Sequence, residues 1–346
     1  MLKDGVRVGI WGLGAMGSGM ARLALKRRGL EVVAAVAKRP GKAGRDLGEV
    51  LGLDAETGVR VSLDPRKAFG EGAPNVVLHS TGSLVREVYP EVLLLCEMGT
   101  HVVSVAEEMA FPWAQWPREA EEMDKAALKA GVTLLGTGIN PGFVLDALIL
   151  CLTGATAEVT CVKARRVNDL SPFGPTVMRT QGVGTTPEEF EKGLEDGTIV
   201  GHIGFPESIS LVAKALGWRL DRIIQERHPI ISKSRRETPY VRVSPGMVAG
   251  CRHTARGIVG GKVVIEMEHP QQIHPETEGT RTGDYIEIQG VPCINMAIQP
   301  EIPGGTGTIA VALNMVPVVL EARPGLLTMA DLPVPRGVGH ERGDRQ

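Results

Sequence analysis

Val6-Arg7-Val8-Gly9-Ile10-Trp11-Gly12-Leu13-Gly14-Ala15-Met16-Gly17 is the stretch from which the fold follows. Its first half, Val6–Trp11, is a short apolar run, as a parallel strand covered on both faces requires. Its second half is G-x-G-x-x-G. The first glycine of such a motif permits a tight turn, the second lets a pyrophosphate approach the backbone, and the third lets helix and strand pack closely. Residues 18–28 then read as a helix, with Lys26, Arg27 and Arg28 in its last turn and Gly29 as its stop. The start of that helix offers free N–H groups and a partial positive charge to phosphate. Spaced glycines alone describe many turns. A strand before them and a helix after them describe a dinucleotide-binding turn, with Gly12, Gly14, Ala15, Met16 and Gly17 against the cofactor.

The alternation continues outward from this motif. Residues 31–37 form a second strand, Asp64-Pro65 an N-cap followed by a first-turn proline, 75–80 a strand and 85–98 a helix. Residues 101–106 are a strand, 118–130 a charged amphipathic helix and 132–136 a strand. Strand and helix in this alternation predict an α/β fold with a Rossmann-like doubly wound parallel sheet. Beyond residue 143 the pattern changes. Residues 145–152 are an apolar helix, 158–167 alternate like a strand with one wet face, and 209–216 are helical. Thr186-Pro187-Glu188-Glu189 is a capping box with proline at the first helical position. Strands follow at 262–268, 285–289 and 294–299. These predict a second, α+β domain built on an open, mostly antiparallel sheet.

The longest uncharged run, 302–320, has 19 residues. It opens on Pro303-Gly304-Gly305-Thr306-Gly307 and carries Asn314 and Pro317, so it reads as a buried helix after a glycine loop rather than a membrane span. The expected layout is a dinucleotide-binding domain at 1–143 with 305–335 returning to pack on it. Residues 144–304 are then a substrate-binding and dimerisation domain.

Composition agrees with two domains, since 346 residues divide by about 150 per domain into roughly two. Lys and Arg total 38 against 40 Asp and Glu, a formal net charge of −2, which excludes a generic electrostatic grip on nucleic acid or an anionic membrane. Hydrophobic residues make up 43%, enough for large cores. Cys96, Cys151, Cys161, Cys251 and Cys293 form no CxxC pair and no cluster with zinc spacing, so no metal is expected. Their odd number, with Asp4 and Arg7 interrupting any signal-peptide layout, predicts a cytoplasmic protein.

Several residues lie where chemistry is expected. The second strand ends Val36-Ala37-Lys38-Arg39, without the acid that binds the ribose 2′-OH in an NAD enzyme. Lys38 and Arg39 favour a 2′-phosphate, hence NADP over NAD, with dual use left open. His79-Ser80-Thr81-Gly82 falls where a βα loop covers the nicotinamide ribose. Glu107 and Glu108 follow the fifth strand at the carboxyl end of the sheet, where ligands sit; an acid at a helix start is the plainer reading. Adjacent acids point in different directions, so one of the two is expected to face the cleft. In Gly136-Thr137-Gly138-Ile139-Asn140-Pro141-Gly142, Asn140 and Pro141 sit at the junction of the two halves, and the Asn140 amide suits the nicotinamide carboxamide.

Four motifs in order carry a resemblance: VSVAEEMAFPW (103–113), GTGINPGFVLD (136–146), TQGVGTTPEEF (180–190) and GHIGFPES (201–208). The first half resembles the dihydrodipicolinate reductase-like nucleotide-binding family. The ordered set, over most of residues 5–335, resembles the 2,4-diaminopentanoate dehydrogenases and their relatives, the native amine dehydrogenases. The resemblance implies oxidative deamination at carbon 4 of a diamino acid, as in ornithine fermentation, with a cleft glutamate that maps onto Glu107 or Glu108. A carboxylate there can take the ammonium proton and stabilise the developing iminium. The substrate would carry a carboxylate, for which Arg165, Arg166 and Arg179 are the candidates, each also readable as an exposed strand arginine. His202 is a candidate pocket wall or proton shuttle. Asn168, Ser171 and Gln181 are weaker pocket candidates, and His253, His269 and His274 receive no role. Open alternatives are an amine dehydrogenase for simple amines, a true dihydrodipicolinate reductase, whose His-rich second-domain motif is not found here, and a non-catalytic dinucleotide-binding regulatory protein. A homodimer is expected through the open sheet face.

Overall fold

Strands and helices alternate from the first turn of the chain, in a computed structural model that describes residues 5–339. They are β1 (Val6–Trp11), α1 (Ala15–Lys26), β2 (Leu30–Val36), α2 (Leu47–Leu51), β3 (Val61–Ser62), α3 (Pro65–Gly72), β4 (Val76–His79), α4 (Val85–Glu97), β5 (His101–Ser104), α5 (Pro117–Ala130) and β6 (Thr133–Gly136). The strands are short because each crosses a layer covered on both sides. Val8, Ile10, Val76, Val77, Leu78, Val102, Val103, Leu134 and Leu135 are fully buried. Asp64 caps α3 by accepting from the Lys67 N–H at 3.1 Å, with Pro65 in the first turn. One face of the layer packs Trp11, Phe69, Val88, Val92, Leu95 and Met123 together, with the Trp11 and Phe69 rings edge to face at 5.5 Å. Burying each such side chain contributes about 1.5–3 kcal/mol relative to leaving it in water.

A second set of elements follows: α6 (Ala147–Thr153), β7 (Glu158–Asp169), α7 (Pro175–Thr180), α8 (Pro187–Glu195), α9 (Phe205–Ala215), β8 (Arg222–Ile231), β9 (Arg236–Glu237), β10 (Arg242–Val243), β11 (Val248–Val259), β12 (Lys262–Gln272), β13 (Gly283–Val291) and β14 (Ile294–Ile298). The main sheet runs β14-β13-β7-β12-β11-β8. Its pairs are antiparallel except β7 with β12, so the sheet is mixed. On β7 the side chains of Val162, Ala164 and Arg166 are buried, while Lys163 and Arg165 are exposed. The outward face is laced by Lys163–Glu287, Arg165–Glu268, Arg256–Glu226 and Arg256–Glu266 ion pairs. The capping box of α8 is formed on both sides, Thr186 Oγ accepting from Glu189 N–H and Glu189 from Thr186 N–H.

Two long strands escape the sequence reading, besides the two-residue strands β3, β9 and β10 and a three-residue strand at 325–327. β8 mixes Gln225, Glu226, Arg227 and His228 with Pro229, and no apolar period survives; it lies at the sheet edge, where proline is tolerated. β11 carries Gly250 and Gly257 among Arg252, His253 and Thr254, and its strand character comes from pairing on both sides.

The chain then forms α10 (Gly304–Glu321) and β15 (Gly325–Leu327). α10 is long and apolar enough to cross a membrane. Here it packs against α1, β4, β5 and β6, burying Val311, Leu313, Met315, Val316 and Val319, and Arg27, the C-cap of α1, donates to Asn314 at 2.8 Å. β15 pairs with β6, completing a parallel sheet ordered β15-β6-β5-β4-β1-β2-β3, the doubly wound arrangement. Two compact units result among the described residues, 5–143 with 304–339, and 144–303.

Candidate active site

The turn between β1 and α1 is built by its glycines. Gly12 has φ +97°, and a Cβ there would stand 2.4 Å from the Ser80 carbonyl oxygen. A Cβ on Gly17 would stand 1.8 Å from the Gly12 oxygen, so strand, helix and the 80–82 loop close on one another only without side chains. A Cβ on Gly14 would meet nothing within 4 Å. Gly14 is the N-cap of α1 and no side chain caps the helix, while Ala15 beside it is exposed. Orphan N–H groups at an open, glycine-lined helix start fit a pyrophosphate. Lys42, which sequence reasoning missed, donates its ammonium to the Leu13 carbonyl within this turn. Its distance from the motif in sequence hides that approach.

The two cations after β2 have different partners. Lys38 Nζ lies 2.9 Å from Glu91 Oε1 on α4, whereas Arg39 is exposed and enters none of the ion pairs described. Glu91 is also bonded by His79 Nε2 at 2.8 Å and by the Thr81 hydroxyl. His79 ends β4 fully buried, its other ring nitrogen 3.0 Å from Ser104 Oγ and its ring edge-on to Trp11. Burial pushes the Glu91 carboxyl up, but the His79 and Thr81 hydrogen bonds and Lys38 outweigh it and hold the group below its ordinary range. Ser80 stays near the phosphate turn, its N–H donating to the Trp11 carbonyl at 2.8 Å.

Glu107 and Glu108 begin a 3₁₀ turn after β5 and separate in role. Glu108 is 5% exposed, and its Oε2 accepts from the Val85 N–H at 2.6 Å, capping α4, whose own N-cap residue Leu84 offers no side-chain acceptor. Burial raises its pKa, opposed by the Val85 N–H and the Trp116 indole. Glu107 is partly exposed, and its side-chain bond is to the Ser83 hydroxyl. Burial pushes its carboxyl up, and the neighbouring Glu108 and Glu87 add to the rise. Asn140 and Pro141 sit in the loop after β6, which is tied down by the Ile139 N–H donating to Thr308 Oγ at 3.1 Å.

In the second unit the three candidate arginines are not equivalent. Arg165 is exposed and paired with Glu268 at 3.0 Å. Arg166 is not the exposed strand arginine the sequence suggests. It is buried, with one nitrogen on Asp284 Oδ1 at 2.5 Å and the other on the Ile302 carbonyl, while Asp284 Oδ2 accepts the Ile302 N–H at 2.9 Å. That pair clamps the end of the unit. Arg179 lies in the last turn of helix α7, exposed, rather than on a strand. Ser171 closes a turn on Asp169, which also accepts the His274 N–H; the Asp169, His274 and Glu276 ligand atoms approach within 4.8 Å as part of that turn.

His202 belongs to a cluster that sequence reasoning did not assemble. Its ring is 4.8 Å from those of His269 and Phe205, and Phe205 is 4.9 Å from His253. The His202 N–H donates to His253 Nδ1 at 3.1 Å, so His253 carries its proton on Nε2. His269 Nε2 lies 3.1 Å from Asn168 Oδ1, and Gln181 Nε2 donates to the Gly201 carbonyl at 2.7 Å. His202 Nε2, His253 Nε2 and Gln181 Oε1 are buried with no hydrogen-bond partner among the described residues. Burial, reinforced by the Arg166 and Arg227 charges, pulls His202 down to about 3. Burial and Arg227 pull His253 down to about 2, and His269 is lowered well below its ordinary range. A histidine held neutral in this way suits a pocket wall better than a proton shuttle. The cluster can instead hold a polar ligand by hydrogen bonds.

Residues 143–345 match the family model of the 2,4-diaminopentanoate dehydrogenase C-terminal domain, and residues 6–106 that of the dihydrodipicolinate reductase N-terminus. The chain is 47% identical to the 2,4-diaminopentanoate dehydrogenase of Acetoanaerobium sticklandii, over 96% of this chain and 95% of that one. It is 26% identical to an amine dehydrogenase of Streptomyces virginiae, over 95% and 97% of the two chains. The solved amine dehydrogenase of Mycobacterium smegmatis superposes with a TM-score of 0.85 at 27% identity, covering 97% of this chain and 98% of that one.

Proposed function

From the premise that the chain belongs to the 2,4-diaminopentanoate dehydrogenase family, a family of dinucleotide-binding oxidoreductases, we propose that it oxidatively deaminates 2,4-diaminopentanoate at carbon 4. The products are 2-amino-4-oxopentanoate and ammonia, in ornithine degradation. The balance is one substrate ammonium, one oxidised cofactor and one water giving ketone, ammonium ion, reduced cofactor and one proton. Bound nicotinamide supplies the hydride acceptor.

Glu107 is the catalytic group in this reading. The observation that carries it is the contrast with Glu108, whose carboxylate is committed to the Val85 N–H, while Glu107 stays partly exposed with a raised affinity for protons. A carboxyl so raised is a better base toward an ammonium near neutrality. It takes the ammonium proton and passes it to solvent; ionised again, it holds the nitrogen while positive charge develops on it and then takes a proton from the water that adds to the imine. The second unit's cluster, taken by itself, carries hydrogen-bonding capacity of the kind a carboxylate or amine uses. His253 Nε2–H is an unsatisfied donor and Gln181 Oε1 an unsatisfied acceptor, each costing about 1–3 kcal/mol until a ligand pairs it. NADP is the favoured cofactor, supported by the exposed Arg39 after β2 and by the lack of an acid among the residues that end that strand. The ion-paired outward sheet face supports a homodimer, and the cysteine usage a cytoplasmic setting.

The test is a steady-state assay following reduced-nicotinamide absorbance with NADP and NAD against 2,4-diaminopentanoate, ornithine, 2,4-diaminobutyrate and simple amines. Turnover confined to 2,4-diaminopentanoate is expected. Preference for simple amines would move the protein to a broad amine dehydrogenase.

A further inference from the structure

Lys38 and Arg39 stand at the end of β2, where a dinucleotide's 2′-substituent is read, yet Lys38 is already matched by a carboxylate from another element. Glu91 lies two turns into α4, more than 50 positions on in the sequence, and its Oε1 is 2.9 Å from Lys38 Nζ. Its other oxygen is bonded by His79 Nε2 and the Thr81 hydroxyl. His79 is itself fixed between Ser104 Oγ and the Trp11 ring. The carboxylate is therefore clamped in place and cannot swing away when an anion arrives. Lys38 stays about half exposed.

We propose that Glu91 is a specificity-determining residue: by neutralising Lys38 it weakens the site's hold on a 2′-phosphate and keeps NAD usable. The inference rests on the dinucleotide reading of the first unit. A 2′-phosphate at Lys38 meets the attraction of one ammonium and the repulsion of a fixed carboxylate one contact behind it. Those two contributions largely cancel, and discrimination falls to Arg39, which has no such competitor. A ribose 2′-OH carries no charge and is indifferent to the pair.

The test measures binding of 2′,5′-ADP and 5′-AMP, two probes differing only in the 2′-phosphate, by calorimetry at fixed ionic strength. Glu91→Gln keeps an acceptor for His79 and Thr81 and removes the charge. It should tighten 2′,5′-ADP about 3- to 10-fold and leave 5′-AMP within about 2-fold. Lys38→Gln in that background should abolish the gain. An unchanged or lowered ratio of the two affinities in Glu91→Gln overturns the inference. If Glu91→Gln fails to fold, Lys38→Gln alone decides. It leaves Glu91 unneutralised and should weaken 2′,5′-ADP selectively; equal binding of both probes relative to wild type overturns the inference. A wild-type protein that binds neither probe overturns the dinucleotide reading and this inference with it. Binding of both with a ratio indifferent to Glu91 overturns this inference alone.

Discussion

The two units bury polar side chains in opposite ways. In the first, acids find donors: Glu91 takes His79, Thr81 and Lys38, and Glu108 takes the Val85 N–H. In the second, three histidines are packed against one another and Phe205, and the charges that act on them are the cations Arg166 and Arg227. The first arrangement holds fixed negative charge with one acid, Glu107, left less committed. The second holds neutral nitrogens whose hydrogen-bonding capacity is unspent. Under the proposed reading the difference matches two kinds of chemistry: proton transfer needs a group that titrates, and holding a polar ligand at fixed charge needs donors and acceptors that do not.

The sharpest way to break that contrast lies within the first unit. Glu107→Gln should lower kcat about 10²- to 10³-fold with the fold intact, as loss of a general base does. Glu108→Gln should leave turnover within a few-fold and lose about 1–3 kcal/mol of stability, because a charge-assisted cap on α4 becomes a neutral one. Kinetics and thermal melts of both variants check this. The reverse pattern would exchange the roles. In the deamination direction Glu107 must start ionised. Its pKa is raised above 4.5, so kcat/KM should fall as pH drops through that raised value, and Glu107→Gln should lack the limb.

Next in size is a substitution in the second unit. His253→Phe keeps a ring against Phe205 and removes the Nε2–H donor. KM for the diamino acid should rise about 10-fold or more with kcat little changed, and a simple amine without a carboxylate should be unaffected. Equal losses for both substrates would mean that the cluster only holds the unit together.

The same contrast explains what was legible in the sequence. The parallel sheet was readable because its signals are local: an apolar run, a glycine turn and a capped helix within 30 residues. Glu107 and Glu108 were readable as a pair because a strand end points to them. Their separation was not, since it depends on the Val85 N–H, more than 20 positions away. The histidine cluster joins residues 202, 253 and 269 through pairing of β11 with β12, whose register sets His253 opposite His269. No spacing in sequence announces that. Arg166 and Arg165 differ by one position and so by sheet face, but the partner that claims Arg166, Asp284, arrives from β13. Lys42 and Glu91 were missed for the same reason, as loop and helix residues brought to the β2 end by tertiary packing.

A smaller effect concerns acid. His202 and His253 are held at about 3 and about 2 in the folded protein, below the ordinary 6.5. Between those values the unfolded chain binds protons that the folded chain refuses, so stability falls as pH drops from 6.5 toward 3. Glu278, held at about 2 by Arg236 and the 233–234 backbone despite its burial, contributes stability that is present above 4.5 and fades as pH falls toward 2. Melts between pH 7 and 5 should therefore fall with a slope that His253→Phe reduces and Glu278→Gln does not, since the Glu278 contribution begins to fade only near 4.5, below that window. Equal slopes in all three proteins would mean that the histidines are not held neutral.

The smallest effect sharpens the contrast between cations with and without partners. Arg166 is locked to Asp284 and Lys38 to Glu91, while Arg39 is exposed and outside the ion pairs. An exposed guanidinium meeting a 2′-phosphate is worth about 1 kcal/mol after solvent screening, or roughly 5-fold in affinity. Arg39→Ala should therefore weaken NADPH by about that factor and leave NADH unchanged, with the difference shrinking as salt is raised. Fluorescence titration of the two reduced cofactors at low and high ionic strength reads both quantities. Equal weakening of NADPH and NADH would mean that Arg39 serves the adenosine rather than its phosphate. No weakening of either would leave Lys42, at the phosphate turn, as the cation to change next.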